Sequence, residues 1–445
     1  MTNFRKDYYA DVRVEDRFST KVEYLNGNLK ESKIRREKRA FVRVFDGEMW
    51  YYASTTDINH IDKVLEELYL VAKPNSDIEN HPVVKRFQRN RVKLETFKKN
   101  SVRDISIEEK TKLICSMLPI ASSDSCMSMS KGIYLDRSSL YSFCSSLGAD
   151  ISYDYQTCGL VLGCDMVEGD KKLSGVWQRG ATDFGELKNY ADEADKSLKE
   201  QTEFMRHSVQ CEAGEYPVVL SPEAAGIFAH ESFGHKSESD FMLSDETMKE
   251  EWQLGKQVGS KILSIAECGE LLGPGYTPYD DDGTKARKNY LIKDGVLVGR
   301  LHSVVTAAAL DEEVTGNSRA VDCTFEPIVR MTNTYIEAGD LTFDRLIAPI
   351  KKGYYIKSIH HGSGMSTFTI APHIAYEIKD GKISGPVQIS VITGNVFETL
   401  GLIDGLTDKC EMKDFVMGGC GKMEQSPLPV GFGGPFVRVS KMKVQ

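Results

Sequence analysis

Asn26-Gly27, Asp294-Gly295 and Asp380-Gly381 constrain the fold of this chain more than any other feature, because each dipeptide divides two extended runs. Such a pair tolerates left-handed backbone at both positions, as a two-residue hairpin turn requires. Asp11 to Phe18 and Lys21 to Leu25 lead into the first turn, and Asn289 to Ile292 and Val296 to Leu301 flank the second. Asp46-Gly47 makes a similar break between Phe41 to Phe45 and Met49 to Ala53. Alternating runs joined this way pair antiparallel, so both halves of the chain are expected to be rich in antiparallel sheet.

Three segments change to helical spacing. Ile58, Ile61, Val64, Leu65 and Leu68 recur at helical intervals over Asp57 to Ala72, with Thr55-Thr56 as candidate caps. Ser106 to Leu118 reads as a second helix, and Leu187 to about Arg206 as a long polar third with Glu and Lys at supporting spacings. Strand cores are expected at Ser139 to Cys144, Asp150 to Tyr155 and Gly159 to Cys164. Pro217 to Leu220 predicts a short strand. Ser221-Pro222-Glu223 after it combines a serine cap, a first-turn proline and an early acid, a strong helix start. Leu271 to Thr284 is a loop rich in Gly, Pro and Asp. At 445 residues the chain exceeds one ordinary core. The reading is α+β: an N-terminal mixed α/β domain over residues 1–210, then a mostly antiparallel β domain over 211–445 with an embedded helix.

A net charge of −9 gives no support to a nucleic-acid or anionic-membrane partner. The N-terminal stretch has no apolar h-region and no later segment holds 18 uninterrupted apolar residues, so a cytoplasmic location is expected. The ten cysteines include no C-x-x-C pair and are expected to be free thiols.

His230-Glu231-Ser232-Phe233-Gly234-His235 falls about two turns into the helix that Ser221 opens. Two imidazoles and a carboxylate this close suggest a zinc hydrolase site, in which zinc acidifies water and Glu231 acts as the base. The usual zincin spacing of four puts both His on one helical face. Five steps leave the second imidazole roughly 140° around from the first. Either the helix contains a π-type turn, or it ends at Gly234 in left-handed backbone and His235 swings back. Glu231 projects beside the metal, a placement for a base and not for a ligand.

A third ligand must come from elsewhere. Cys420 stands apart because Gly418, Gly419 and Gly421 surround it, and the nearby Lys422 could keep its thiol ionised. A glycine-rich cysteine is equally what a tight turn with a buried thiol looks like. His302, His360, His361 and His373 compete for the role.

The chain resembles the TldD/PmbA family of cytoplasmic metallopeptidases, also described as modulators of gyrase, and within it the TldD branch. The resemblance rests on an ordered set: Arg36 to Phe45, Trp50 to Ser54, the H-E-x-x-x-H at His230, Glu238 with Asp240, Asp281 to Thr284, Met331 to Tyr335, Cys420 to Lys422 and Pro429 to Gly431. It implies that His230, His235 and Cys420 hold Zn2+ and that Glu231 is the catalytic base. It implies hydrolysis of unstructured peptides bound as extended strands, by a homodimer or by a heterodimer with a homologous subunit lacking the motif. Glu238, Asp240, His360, His361 and Tyr355 are the candidates for supporting or substrate-contacting roles. The alternative is a non-catalytic peptide-binding or gyrase-related partner subunit whose metal only fixes the fold. Ser358 to Gly362 departs from the family's glycine-rich stretch, and the Leu271 to Asp282 loop is peculiar to this chain.

Overall fold

Each of the three dipeptides is a hairpin turn in the computed structural model, which describes residues 3–243, 245–364 and 366–445. Asn26, Asp294 and Asp380 take φ of 49°, 51° and 48°, and the glycines after them 73°, 79° and 73°. Positive φ at both central residues matches the right-handed twist of the strands they join.

The first sheet contains β1 (Tyr9–Leu25), β2 (Asn28–Phe45), β3 (Trp50–Thr55), the short β4 (Arg91–Lys93), β5 (Met127–Ser145), β6 (Asp150–Glu168) and β7 (Lys171–Ala181). Its order is β3-β2-β1-β5-β6, with β4 and β7 both against β6, and only β4 is parallel. The strands outrun the apolar runs that mark them. Asn28 to Arg39 is mostly exposed and charged, yet it continues β2 because main-chain pairing with β1 does not depend on side-chain polarity. Lys21 adds cross-strand support, lying 2.7 Å from both Glu23 and Glu31.

Helices α1 (Ile61–Val71), α2 (Ile107–Met117) and α3 (Ala191–His207) cover parts of this sheet. In α2, Ser106 accepts from the Glu109 N–H as its cap. Thr55 and Thr56 do not cap α1: a tight turn at Ile58–His60 intervenes, and Thr55 Oγ1 accepts from Asp57 N–H instead. A similar turn at Glu186–Asn189 delays the start of α3.

The second half begins with β8 (Val209–Gln210), β9 (Gly214–Leu220) and α4 (Pro222–Ala229). Strand β9 lies between Lys352–Gly364 and Val437–Val444. That sheet continues through Ile392–Asn395 to Thr367–Lys379, which pairs back onto Lys352–Gly364 and closes a ring. A second, six-stranded sheet includes Ile265–Cys268, Asn333–Ile336 and Gly431–Gly434. Helix α4 is buried between the two; a Cβ on Gly226 would lie 2.5 Å from the Gly433 nitrogen, so the helix sits directly on backbone. Short helices at Glu246–Glu251, Val304–Leu310, Phe343–Ile347 and Val396–Gly401 accompany it.

The Leu271 to Thr284 loop joins the halves. Tyr279 packs with Phe143 and Ile151, Tyr276 packs with Phe97 and Tyr155, and the Tyr155 hydroxyl donates to the Pro274 carbonyl. Arg43 bridges Asp11 at 2.8 Å and Asp282 at 2.6 Å while lying over the Trp50 ring. Three of the sequence motifs therefore meet in a buried ion-pair cluster that fastens the second half to the first sheet. No helix is long and apolar enough to cross a membrane among the described residues.

Candidate metal centre

The five-residue spacing is accommodated by a π-type turn. The helix loses its regular winding after Ala229, and His230–Gly234 forms one wider turn in which the His235 N–H donates to the His230 carbonyl. The extra residue per turn brings the two imidazoles onto one face, with ring centroids 5.1 Å apart. Gly234 does not end the helix, because it keeps right-handed backbone at φ −57°. It is glycine for another reason: a Cβ there would overlap the Met331 sulfur.

Cys420 arrives on the short strand Cys420–Lys422. Ligand atoms of His230, His235 and Cys420 all lie within 4.8 Å of one another, the only such group of three among the described residues. Cys420 Sγ is 3.5 Å from His235 Nε2, and the fully buried Arg330 holds the Cys420 carbonyl at 2.7 Å. His302 is elsewhere, bound to Ser239 and Glu312; His360 packs against His373 with the rings tilted 45° to each other.

Charge is concentrated at this centre. Burial opposes ionisation of Cys420, but the two imidazoles outweigh it and bring the thiol down to about 5. Burial likewise opposes the His235 imidazolium, and the hydrogen bonds to Cys420 and Glu238 overcome it and raise the group to about 10. A thiolate and two imidazoles are a donor set suited to zinc. His230 Nδ1 is buried without a hydrogen-bond partner, an orphan that a cation would satisfy.

Glu238 stands behind His235, with Oε2 3.4 Å from Nδ1, which leaves Nε2 directed at Cys420. That is how a carboxylate orients a ligating imidazole. Lys422 serves this carboxylate and not the thiol. Its ammonium lies 3.0 Å from Glu238 and 2.7 Å from Asp240, so its expected role beside Cys420 is corrected; the nearby imidazoles ionise the thiol instead. Burial opposes the Glu238 charge, but His235 and Lys422 outweigh it and hold the carboxyl below its ordinary range. Lys422→Met should therefore lower the midpoint of chemical denaturation by the equivalent of about 3–5 kcal/mol, since Glu238 is fully buried and loses its cation. Adding Glu238→Gln should recover part of the loss, and an unchanged midpoint in the single variant would refute this pairing.

Glu231 projects from the π turn with Oε2 4.0 Å from His235 Nε2, and its side chain is 30% exposed. It opens onto a cavity of about 450 Å³ that His230, Cys420 and His360 also line. His361 is exposed on the strand Lys352–Gly364, and Tyr355 faces an adjoining cavity among Phe343, Phe436 and Tyr376. Four further contributors escaped the sequence reading. Glu223 lines the cavity, accepts from the Ile359 N–H, and is pushed up by burial. Its seven-residue interval to His230 is the available signal, since it spans about two turns. Arg137, Tyr155 and Gln178 reach the cavity from the first sheet, and nothing local in their sequence indicates it.

Residues 213–445 match the model of the PmbA/TldA metallopeptidase C-terminal domain, and residues 10–72 that of the PmbA/TldA metallopeptidase domain 1. A metalloprotease of Methanocaldococcus jannaschii is 29% identical over 97% of this chain and 95% of its own length. A zinc metalloprotease TldD homolog of Saccharolobus solfataricus is 36% identical over 52% of each chain. The fold is shared with TldE from Thermococcus kodakarensis at a TM-score of 0.76 and 15% identity, over 98% of this chain and 96% of that one.

Proposed function

Because this chain belongs to the PmbA/TldD metallopeptidase family, we propose that it is a zinc-dependent peptidase acting on unstructured peptides. The observation that carries the reading is the convergence of His230, His235 and Cys420 beside the partly exposed Glu231 carboxylate on one open cavity. Zinc held by those three residues would supply Lewis acidity, acidifying water and polarising a peptide carbonyl. Glu238 fixes the His235 ring through Nδ1, so the imidazole presents Nε2 with a defined orientation. Glu231 removes the proton from water and delivers it to the leaving amine. Its partial exposure keeps it in contact with solvent and substrate, whereas Glu238 is sealed behind His235 and unable to reach either.

The neighbouring strand suggests how a peptide is held. Past Ile356, Lys352–Gly364 has left β9 and pairs only with Thr367–Lys379 among the described strands. A Cβ on Gly362 would lie 3.4 Å from Glu231 Cγ, so this edge passes directly beside the base. An extended peptide added there would be bound largely through main-chain hydrogen bonds, with little dependence on its sequence.

The zinc-loaded chain should cleave a reduced, alkylated protein and spare the same protein in its folded state. A chelator should stop the cleavage and added zinc restore it. A zinc-loaded chain that binds unstructured polypeptide and leaves it intact would instead be a non-catalytic binding subunit.

A further inference from the structure

The segment ahead of Cys420 rests in a notch made by three glycines. Gly159 of β6 and Gly180 of β7 are direct ladder partners, so their missing side chains open one gap on one face of the first sheet. A Cβ on Gly159 would overlap Val416 Cγ1, and one on Gly180 would lie 2.9 Å from the Asp414 carbonyl oxygen. Gly273, at φ 136° in the Leu271 to Thr284 loop, closes a further side; its Cβ would lie 2.8 Å from Asp414 Oδ1. Two hydrogen bonds set the register. Gly180 N–H donates to the Asp414 carbonyl at 2.9 Å, and Met417 N–H donates to Gln178 Oε1 at 3.2 Å.

Only Gly418 and Gly419 separate this anchored stretch from Cys420, with φ of 99° and 150°. Glycines at such angles carry little conformational preference of their own, so the chain entering Cys420 is directed by what holds it on either side. Arg330 holds the far side through the Cys420 carbonyl. The two histidines, by contrast, are set by one continuous helix packed on Gly433. The thiol sits at the first residue of a three-residue strand that pairs with Gln425–Leu428, and is the member of the group whose chain enters from a loop.

We infer that the glycine notch of the first sheet positions the Cys420 thiol against His230 and His235, so that residues touching no ligand govern metal affinity. This rests on the zinc reading above. Docking the segment raises the effective concentration of the third ligand at the other two, and undocking it lowers that concentration without altering any donor atom. The Leu271 to Thr284 loop then has a task, as one wall of the notch.

Val416→Gly, which empties the notch from the loop side, and Gly159→Val, which fills it from the sheet side, provide the test. In metal-free protein, iodoacetamide labelling of Cys420, followed by peptide mass spectrometry, should accelerate by roughly fivefold or more in both variants, with Cys115 as the distant control. Cobalt, read by its thiolate charge-transfer band, should bind about tenfold more weakly or worse. Because Gly159→Val also crowds the Arg179 carbonyl, Val416→Gly decides the outcome if the sheet variant fails to fold. Unchanged labelling and unchanged cobalt affinity in Val416→Gly would overturn the inference. Faster labelling in a chain whose parent binds no cobalt would uphold the notch and sink the zinc reading alone.

Discussion

Glu231→Gln is expected to slow cleavage of an unstructured polypeptide by about 10²–10⁴-fold while leaving zinc content near that of the parent. The substitution keeps the shape of the side chain and removes only its capacity to take a proton. Metal content should survive because the group of three ligand atoms does not include this carboxylate. The π turn should survive as well, since its defining bond runs from His235 N–H to the His230 carbonyl and involves no Glu231 side-chain atom. Turnover is measured on a reduced, alkylated protein, and zinc by elemental analysis of the same sample. A variant that cleaves at the parent rate would sink the proposed role of Glu231, and one that loses its zinc would move Glu231 from base to ligand.

Cys420→Ala should abolish activity and weaken zinc binding by more than ~100-fold, since even the outer partners of metal ligands are commonly worth 10–100-fold. The thiolate is the anionic member of the group, and removing it leaves two imidazoles to hold a dication. The cost to folding should be modest, because a small buried side chain is exchanged for a slightly smaller one. Competitive titration with a zinc indicator reports the affinity, and thermal unfolding of the metal-free protein controls for the fold. Cys420→Ser should recover little, as a neutral hydroxyl is a poor zinc donor. Zinc affinity within a few fold of the parent would return Cys420 to the status of a buried thiol in a tight turn.

Much of this architecture was legible in the chain itself. The three hairpins were readable because Asn26-Gly27, Asp294-Gly295 and Asp380-Gly381 carry their own backbone preference. Helix α4 was readable because Ser221 caps the Ala224 N–H and Pro222 occupies the first turn. The ordered motifs marked the family, the histidine pair and Cys420. The polar half of β2 was not legible, since its strand character comes from the partner β1. The delayed start of α1 was also hidden, because two threonines suited to capping are passed over for a tight turn.

At the candidate metal centre, the sequence by itself determined which donors exist and that His230 and His235 are one residue too far apart for a regular helix. The choice between a π turn and a left-handed exit belonged to the tertiary structure. Gly234 can adopt either conformation; it keeps right-handed backbone in the fold, and only there is it seen that Met331, distant in the chain, leaves no room for a Cβ. Packing likewise assigned Lys422 to Glu238, placed Glu223 and residues of the first sheet around the cavity, and seated Asp414 to Met417 against Gly159 and Gly180. The physical reason is one of range. Backbone preferences and caps act over a few residues and are written locally, whereas Cys420 meets His235 across 185 residues only through the sheets that hold both.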